Sequence, residues 1–198
     1  MWTLVGSQHE LWVLRRNTPS KRLGGYSIRQ STLTELRDYQ AECLDAIESA
    51  LVNGITSQLV VLPTGTGKTV VFSHLTRYPM LVLAHREELL DQAADKIRQA
   101  NPGLRVEIEQ GERYANTQRC DVVIASVPTL GRGGKRIERF DPNYFRAIVT
   151  DEAHHGAAPT YRRIYDYFHP DVHVGFTATP QRGDSVRLTD VFQEVVYY

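Results

Sequence analysis

An α/β domain built on a mainly parallel sheet, with helices on both faces, is what this sequence predicts. Three observations lead there. Short apolar runs at residues 58–62, 80–84, 105–109, 121–125, 146–150 and 172–176 have the length and composition of buried strands. Helical patterns alternate with these runs, so strands return to the sheet by crossovers rather than hairpins. The chemically distinctive residues gather just after the runs end, at the carboxyl edge where such sheets bind ligands.

The elements can be justified in chain order. In residues 1–30, Trp2-Thr3-Leu4-Val5 and Leu11-Trp12-Val13-Leu14 are short β-like runs around Gly6-Ser7, the pattern of a hairpin. A polar stretch with Arg15, Arg16, Lys21, Arg22 and Arg29, broken by Pro19 and Gly24-Gly25, reads as a solvated linker or a small nucleic-acid-facing element. Residues 31–198 form the main domain. There Thr34 can cap a helix whose apolar face recurs at Leu36, Cys43 or Leu44, Ile47 and Leu51, and Asn53-Gly54 stops it. Residues 68–78 and 86–100 read as further helices. The second places Leu89, Ala93 and Ile97 on one face and ends at Asn101-Pro102-Gly103.

The 198 residues suit one large domain, and a composition 41% hydrophobic and 23% charged excludes wholesale disorder. Lys plus Arg and Asp plus Glu number 23 each, so bulk charge attracts no polyanion and any nucleic-acid contact must be local. Cys43 and Cys120 have no Cys or His neighbour at metal-ligand spacing and read as reduced thiols without disulfides. No apolar stretch approaches the roughly 18 residues of a membrane span, and the run from Trp2 to Val5 is too short for a signal peptide. These features predict a cytoplasmic protein with no membrane partner.

Pro63-Thr64-Gly65-Thr66-Gly67-Lys68-Thr69 follows one strand and opens a helix. Glycines there let backbone N–H groups converge on phosphate oxygens, and the helix adds its positive end. Lys68 can reach the outer phosphates, and the Thr69 hydroxyl can ligate Mg²⁺. Leu62 stands where phosphate loops of this kind usually begin with glycine. Asp151-Glu152-Ala153-His154 follows another strand. Adjacent acids leaving a strand point in different directions, so Asp151 can hold Mg²⁺ while Glu152 accepts a proton from an attacking water. His154 can sense the terminal phosphate. A zinc site at His154-His155 is disfavoured, because consecutive residues rarely face one ion and no nearby Cys or third His completes the set.

Together these motifs resemble superfamily 2 helicases, from about Leu36 to the C-terminus, and among them the DEAH translocases of restriction and repair systems. The resemblance implies a RecA-like P-loop NTPase domain that uses ATP and Mg²⁺ to drive a helicase or translocase. Leu36-Arg37-Asp38-Tyr39-Gln40 is similar to the family's adenine-reading element, which implies that Gln40 and Arg37 contact the base. Leu83-Ala84-His85-Arg86-Glu87-Glu88-Leu89 and Ala125-Ser126-Val127-Pro128-Thr129-Leu130 are similar to its nucleic-acid motifs, which implies backbone contacts from His85, Arg86, Ser126 and Thr129. Phe176-Thr177-Ala178-Thr179-Pro180 resembles its coupling motif, with Thr177 and Thr179 in the coupling role, and Gln181-Arg182-Gly183-Asp184 continues the likeness.

The expected partner is nucleic acid, DNA in preference to RNA. Family motors close two lobes around ATP, and this chain carries only the first, so the expectation is ATP binding with weak hydrolysis and no unwinding. The alternatives are a P-loop small-molecule kinase, against which Glu152 beside Asp151 is arranged to activate water, and a nucleotide-sensing binding module.

Overall fold

The computed structural model of the chain describes residues 2–5, 13–16, 36–178 and 188–198. It divides into two compact units, Met1–Ser31 and Thr32–Tyr198. In the first, β1 (Trp2–Val5) and β2 (Val13–Arg16) pair antiparallel, with Val5 opposite Val13 and Trp2 opposite Arg16. Arg15 and Arg16, expected in the linker, therefore stand in the ladder. Leu11, Trp12, Lys21, Arg22, Arg29 and Thr34 lie outside the described residues.

Among its described residues the second unit carries seven strands: β3 (Ser57–Val61), β4 (Met80–Ala84), β5 (Val106–Glu109), β6 (Val122–Ser126), β7 (Ala147–Thr150), β8 (Val172–Thr177) and β9 (Glu194–Tyr197). Their order is β5-β6-β4-β7-β8-β3-β9, and every described ladder is parallel. Among the described residues five α-helices accompany them: α1 (Asp38–Val52), α2 (Lys68–Ser73), α3 (Glu87–Ala100), α4 (Val127–Gly131) and α5 (Pro159–Tyr167).

The period-2 alternation of strands sorts the core into two layers. Met80, Val82, Val122, Ile124, Val149 and Val174 meet Cys43 and Ile47 of α1, Phe72 of α2 and Leu90 and Ile97 of α3. Leu81, Leu83, Val123, Ala125 and Ile148 meet Leu130 of α4 and Tyr161 and Ile164 of α5 on the other face. Burying each such side chain is worth about 1.5–3 kcal/mol. With both faces covered, the central strands read as unbroken apolar runs.

Two helix boundaries differ from the sequence reading. α1 begins at Asp38, where the Arg37 N–H donates to Gln40 Oε1 at 3.0 Å and the Gln40 N–H donates to the Arg37 carbonyl at 2.9 Å. The cap at the observed start is thus Gln40 reaching back. α2 stops at Ser73 instead of continuing to Tyr78. The Ser73 hydroxyl and His74 Nδ1 both bond the Val70 carbonyl, at 2.8 and 2.7 Å, and Asn101 Nδ2 donates to the Ser73 carbonyl at 2.6 Å. Such side-chain bonds take carbonyls that another helical turn would need.

Candidate active site

Because the sheet is parallel, β3, β4, β6, β7 and β8 all deliver their carboxyl ends to one edge. β3 runs into Pro63-Thr64-Gly65-Thr66-Gly67 and then α2. Gly65 and Gly67 have φ of +85° and +80°, a region open to glycine and costly for other residues. A Cβ on Gly67 would also lie 2.8 Å from Gln40 Nε2. Thr66 closes the turn, its hydroxyl donating to the Pro63 carbonyl at 2.7 Å. Pro63, Thr64 and Gly65 are exposed, while Thr66, Gly67, Lys68 and Thr69 are half-buried. The Lys68 ammonium donates to the Leu62 carbonyl at 3.3 Å. Leu62, the departure from the usual glycine, is buried in the core and donates its N–H to the Thr177 carbonyl at 2.9 Å, which extends the β3–β8 ladder by one bond.

The start of α1 is clamped to this loop. Gln40 is buried and its Nε2 donates to the Thr66 carbonyl at 3.0 Å; the Tyr39 hydroxyl donates to the same oxygen at 2.7 Å. Arg37 is exposed, and its guanidinium donates to the Tyr39 hydroxyl at 3.3 Å. Sequence reasoning missed Tyr39. Its position beside Gln40, which also faces the loop, was the available signal.

β7 ends at Thr150, and the Asp151 N–H donates to the Leu83 carbonyl of β4 at 3.0 Å. Glu152 then adopts φ +52°, the only positive φ of a non-glycine among the described residues. This left-handed backbone at a non-glycine residue costs of order 1 kcal/mol. The Glu152 N–H donates to Asp151 Oδ1 at 3.0 Å. Burial pushes the Asp151 carboxyl above its ordinary range and the charge of Glu152 adds to the rise. The Glu152 N–H and the Lys68 ammonium oppose it. The phosphate-loop lysine and the first acid of the second motif therefore lie within each other's field. His154 Nδ1 stands 3.3 Å from Glu152 Oε2 and 3.4 Å from Thr177 Oγ1, which is fully buried at the end of β8. Thr179 and residues 180–184 lie outside the described residues.

Beneath the carboxylates, Thr150 Oγ1 bonds the Tyr165 hydroxyl at 3.1 Å and His173 Nε2 at 2.9 Å. Beside them, His85 and Arg86 are exposed where β4 ends. Ser126 closes β6 and is buried, and Thr129 is half-buried in α4. Among the described residues, no group of three or more His, Cys, Asp or Glu is arranged to hold a metal ion by itself. Both cysteines are buried free thiols, and burial pushes each up to about 12.

A phosphate-type loop and an Asp-Glu pair sharing one edge of a parallel sheet define a nucleotide-handling domain of the RecA-like class. Comparison with known proteins narrows this. The family model of the type III restriction enzyme res subunit matches residues 33–182, and the chain belongs to that family. IRC3 of Saccharomyces cerevisiae, which carries the name of an ATP-dependent helicase, is 36% identical over 182 residues, covering 82% of this chain and 26% of its own. A Schizosaccharomyces pombe protein named as a mitochondrial helicase is 34% identical, covering 88% of this chain and 31% of its own. The chain thus spans between a quarter and a third of the length of these relatives. A SWI2/SNF2 ATPase core from Sulfolobus solfataricus, solved with double-stranded DNA, shares the fold at a TM-score of 0.67 and 18% identity, over 81% of this chain and 36% of that one. The chain shares the RecA-like fold of these proteins, and its family does not favour the small-molecule kinase alternative. Among the described residues, no helix is long and apolar enough to cross a membrane.

Proposed function

We propose that this chain is the ATP-binding lobe of a DNA helicase or translocase, with the nucleotide seated across the ends of β3 and β7. The observation that supports this most directly is that the glycine loop after β3 and the Asp151–Glu152 pair after β7 leave the same edge of the parallel sheet, two strands apart. The residues fit a magnesium nucleotide. A Cβ on Gly65 would meet nothing, so backbone there is open to a ligand. Thr69 and Asp151 offer the hard oxygens that magnesium takes, and they would hold the ion. When bound, magnesium neutralises charge on the phosphates.

The protein groups have separate tasks. Backbone N–H groups of residues 63–69 cradle phosphate oxygens, and Lys68 moves from the Leu62 carbonyl to them. Gln40 and Arg37 face the adenine; the Gln40 amide keeps a second N–H beyond the one spent on Thr66. Glu152 takes the proton of the attacking water. His154, between Glu152 Oε2 and Thr177 Oγ1, ties the carboxylates to the end of β8, with Thr177 and Thr179 passing movement to a second lobe. His85, Arg86, Ser126 and Thr129 hold the sugar–phosphate chain, a mode indifferent to base sequence and weakened by salt. A second lobe, in the same polypeptide or another, supplies arginines to the outer phosphate. That contribution is worth roughly 10³–10⁵ in rate in related enzymes. Residues 1–30 act as an appended hairpin and linker. The site of action is the cytoplasm, and fractionation of cells would separate this from an organelle.

A fluorescent ATP analogue tests the reading. The chain binds it with magnesium, Lys68→Ala lowers affinity at least about tenfold, worth about 1.4 kcal/mol, and Glu152→Gln still binds but loses roughly 10²–10⁴ of hydrolysis. Equal affinity in wild type and Lys68→Ala would overturn it, as would robust DNA-stimulated turnover by the 198-residue chain alone for the part assigned to the second lobe.

A further inference from the structure

α5 carries three tyrosines facing inward, and two of them have an evident use for the hydroxyl. Tyr165 bonds Thr150, and Tyr167 donates to the Phe140 carbonyl at 2.9 Å. Tyr161 differs. It is 1% exposed, and its hydroxyl has no hydrogen-bond partner. A hydroxyl buried without a partner is costly, and phenylalanine would fill the same core space without that cost.

The surroundings of Tyr161 indicate what the hydroxyl is for. The Tyr161 ring lies 6.2 Å from that of Tyr165, whose hydroxyl bonds Thr150, the residue before Asp151. Burial pushes the Tyr161 hydroxyl up to about 12 and the charges of Asp151 and Glu152 add to the rise, so it stays a protonated donor in their field. The other end of the residue faces the opposite function. The His85 ring stacks on that of Tyr161, with centroids 6.4 Å and planes 11° apart. That offset lies within the range of favourable aromatic pairs. A second path runs alongside: His85 lies 5.6 Å from His155 between ring centroids, His155 lies 4.0 Å from His154, and His154 touches Glu152. Two chains of rings thus connect the loop after β4 with the acids after β7.

We propose that Tyr161 is a positioning residue that couples the two sites, its ring carrying His85 on the nucleic-acid side and its hydroxyl serving the Asp151–Glu152 pair on the nucleotide side. This rests on the function proposed above. When nucleotide and magnesium settle at the carboxylates, an oxygen of the ligand or its water accepts the stranded hydrogen bond. The ring is then fixed, and His85 with it. Contact of a nucleic-acid phosphate with His85 works the same link in reverse, as coupling between sites must.

Fluorine NMR of the chain labelled with 3-fluorotyrosine tests this without relying on turnover. Tyr161→Phe identifies the resonance by its loss; His85→Ala, at an exposed position, identifies it by displacement should the first variant not fold. Magnesium with a non-hydrolysable ATP analogue, and separately a single-stranded oligonucleotide, should each shift that resonance. The oligonucleotide should also change analogue affinity by about fivefold in wild type, a typical coupling, and by less than half as much in Tyr161→Phe. A resonance that stays put with either ligand while both bind overturns the proposal, as does undiminished coupling in Tyr161→Phe. If wild type binds neither ligand, the function reading itself fails and this inference falls with it.

Discussion

Acid should destabilise this fold through one histidine, and the size of the effect can be worked out. His173 is buried in β8 with Nε2 on Thr150 Oγ1 and its ring between Tyr165 and Phe192, at centroid distances of 4.4 and 4.9 Å. Burial lowers it from 6.5 to about 3. Below pH 6.5 the unfolded chain takes up a proton that the folded chain refuses. The stability from keeping His173 neutral is therefore complete above 6.5 and is lost progressively as pH falls toward 3. Each pH unit in that window is worth about 1.4 kcal/mol, so lowering the pH to 5 costs about 2 kcal/mol. That is a large part of a typical 5–15 kcal/mol stability. Urea unfolding at pH 8 and pH 5 measures it, with a midpoint shift of roughly 1 M attributable to this group. His173→Gln, neutral at both pH values, should lack that share of the shift. Parallel pH dependences in the two proteins, or an NMR titration of His173 with a midpoint near 6.5, would refute the reasoning.

Three further outcomes follow from contacts described here. A Cβ on Gly131 would lie 2.3 Å from the Thr160 carbonyl oxygen, so Gly131→Val should force α4 from α5 and cost about 1–3 kcal/mol in a thermal melt. Glu109 is fully buried among Arg136, Arg139 and the Ala115 N–H. Arg136→Ala should cost about 3 kcal/mol by urea unfolding, and unchanged stability would show that Arg139 suffices alone. Gln40→Ala removes one of two donors on the Thr66 carbonyl and the cap of α1, and should weaken ATP-analogue binding by about tenfold while costing about 0.5–2 kcal/mol in a thermal melt.

The central strands were legible because both their faces are buried. Residues 80–84, Met-Leu-Val-Leu-Ala, are all enclosed, and β4 spans that run. β9 was not legible: Glu194–Tyr197 is short, partly exposed and pairs only at the edge beside β3, where no alternation or apolar run is required. The end of α2 was missed because it depends on Asn101 Nδ2, which reaches Ser73 from 28 residues away. Of the candidate site, the glycine loop and the Asp-Glu pair announce themselves by motif, since phosphate binding constrains residue type at fixed spacing. Tyr39, Tyr161 and the Thr150–His173 pair do not. An aromatic or a histidine at helix or strand spacing looks like core, and only the folded chain shows which polar ends meet which neighbours.

The strand order acts as a ruler for the ligand. Only β8 lies between β3 and β7, so the glycine loop and the acids are two strand spacings apart, about 10 Å. One more interposed strand would open the gap to about 14 Å, and side-by-side placement would close it to about 5 Å. In the function proposed above, the observed gap is the one a single chain of phosphates spans. That separation is written into connectivity, and redesigning either loop alone leaves it unchanged.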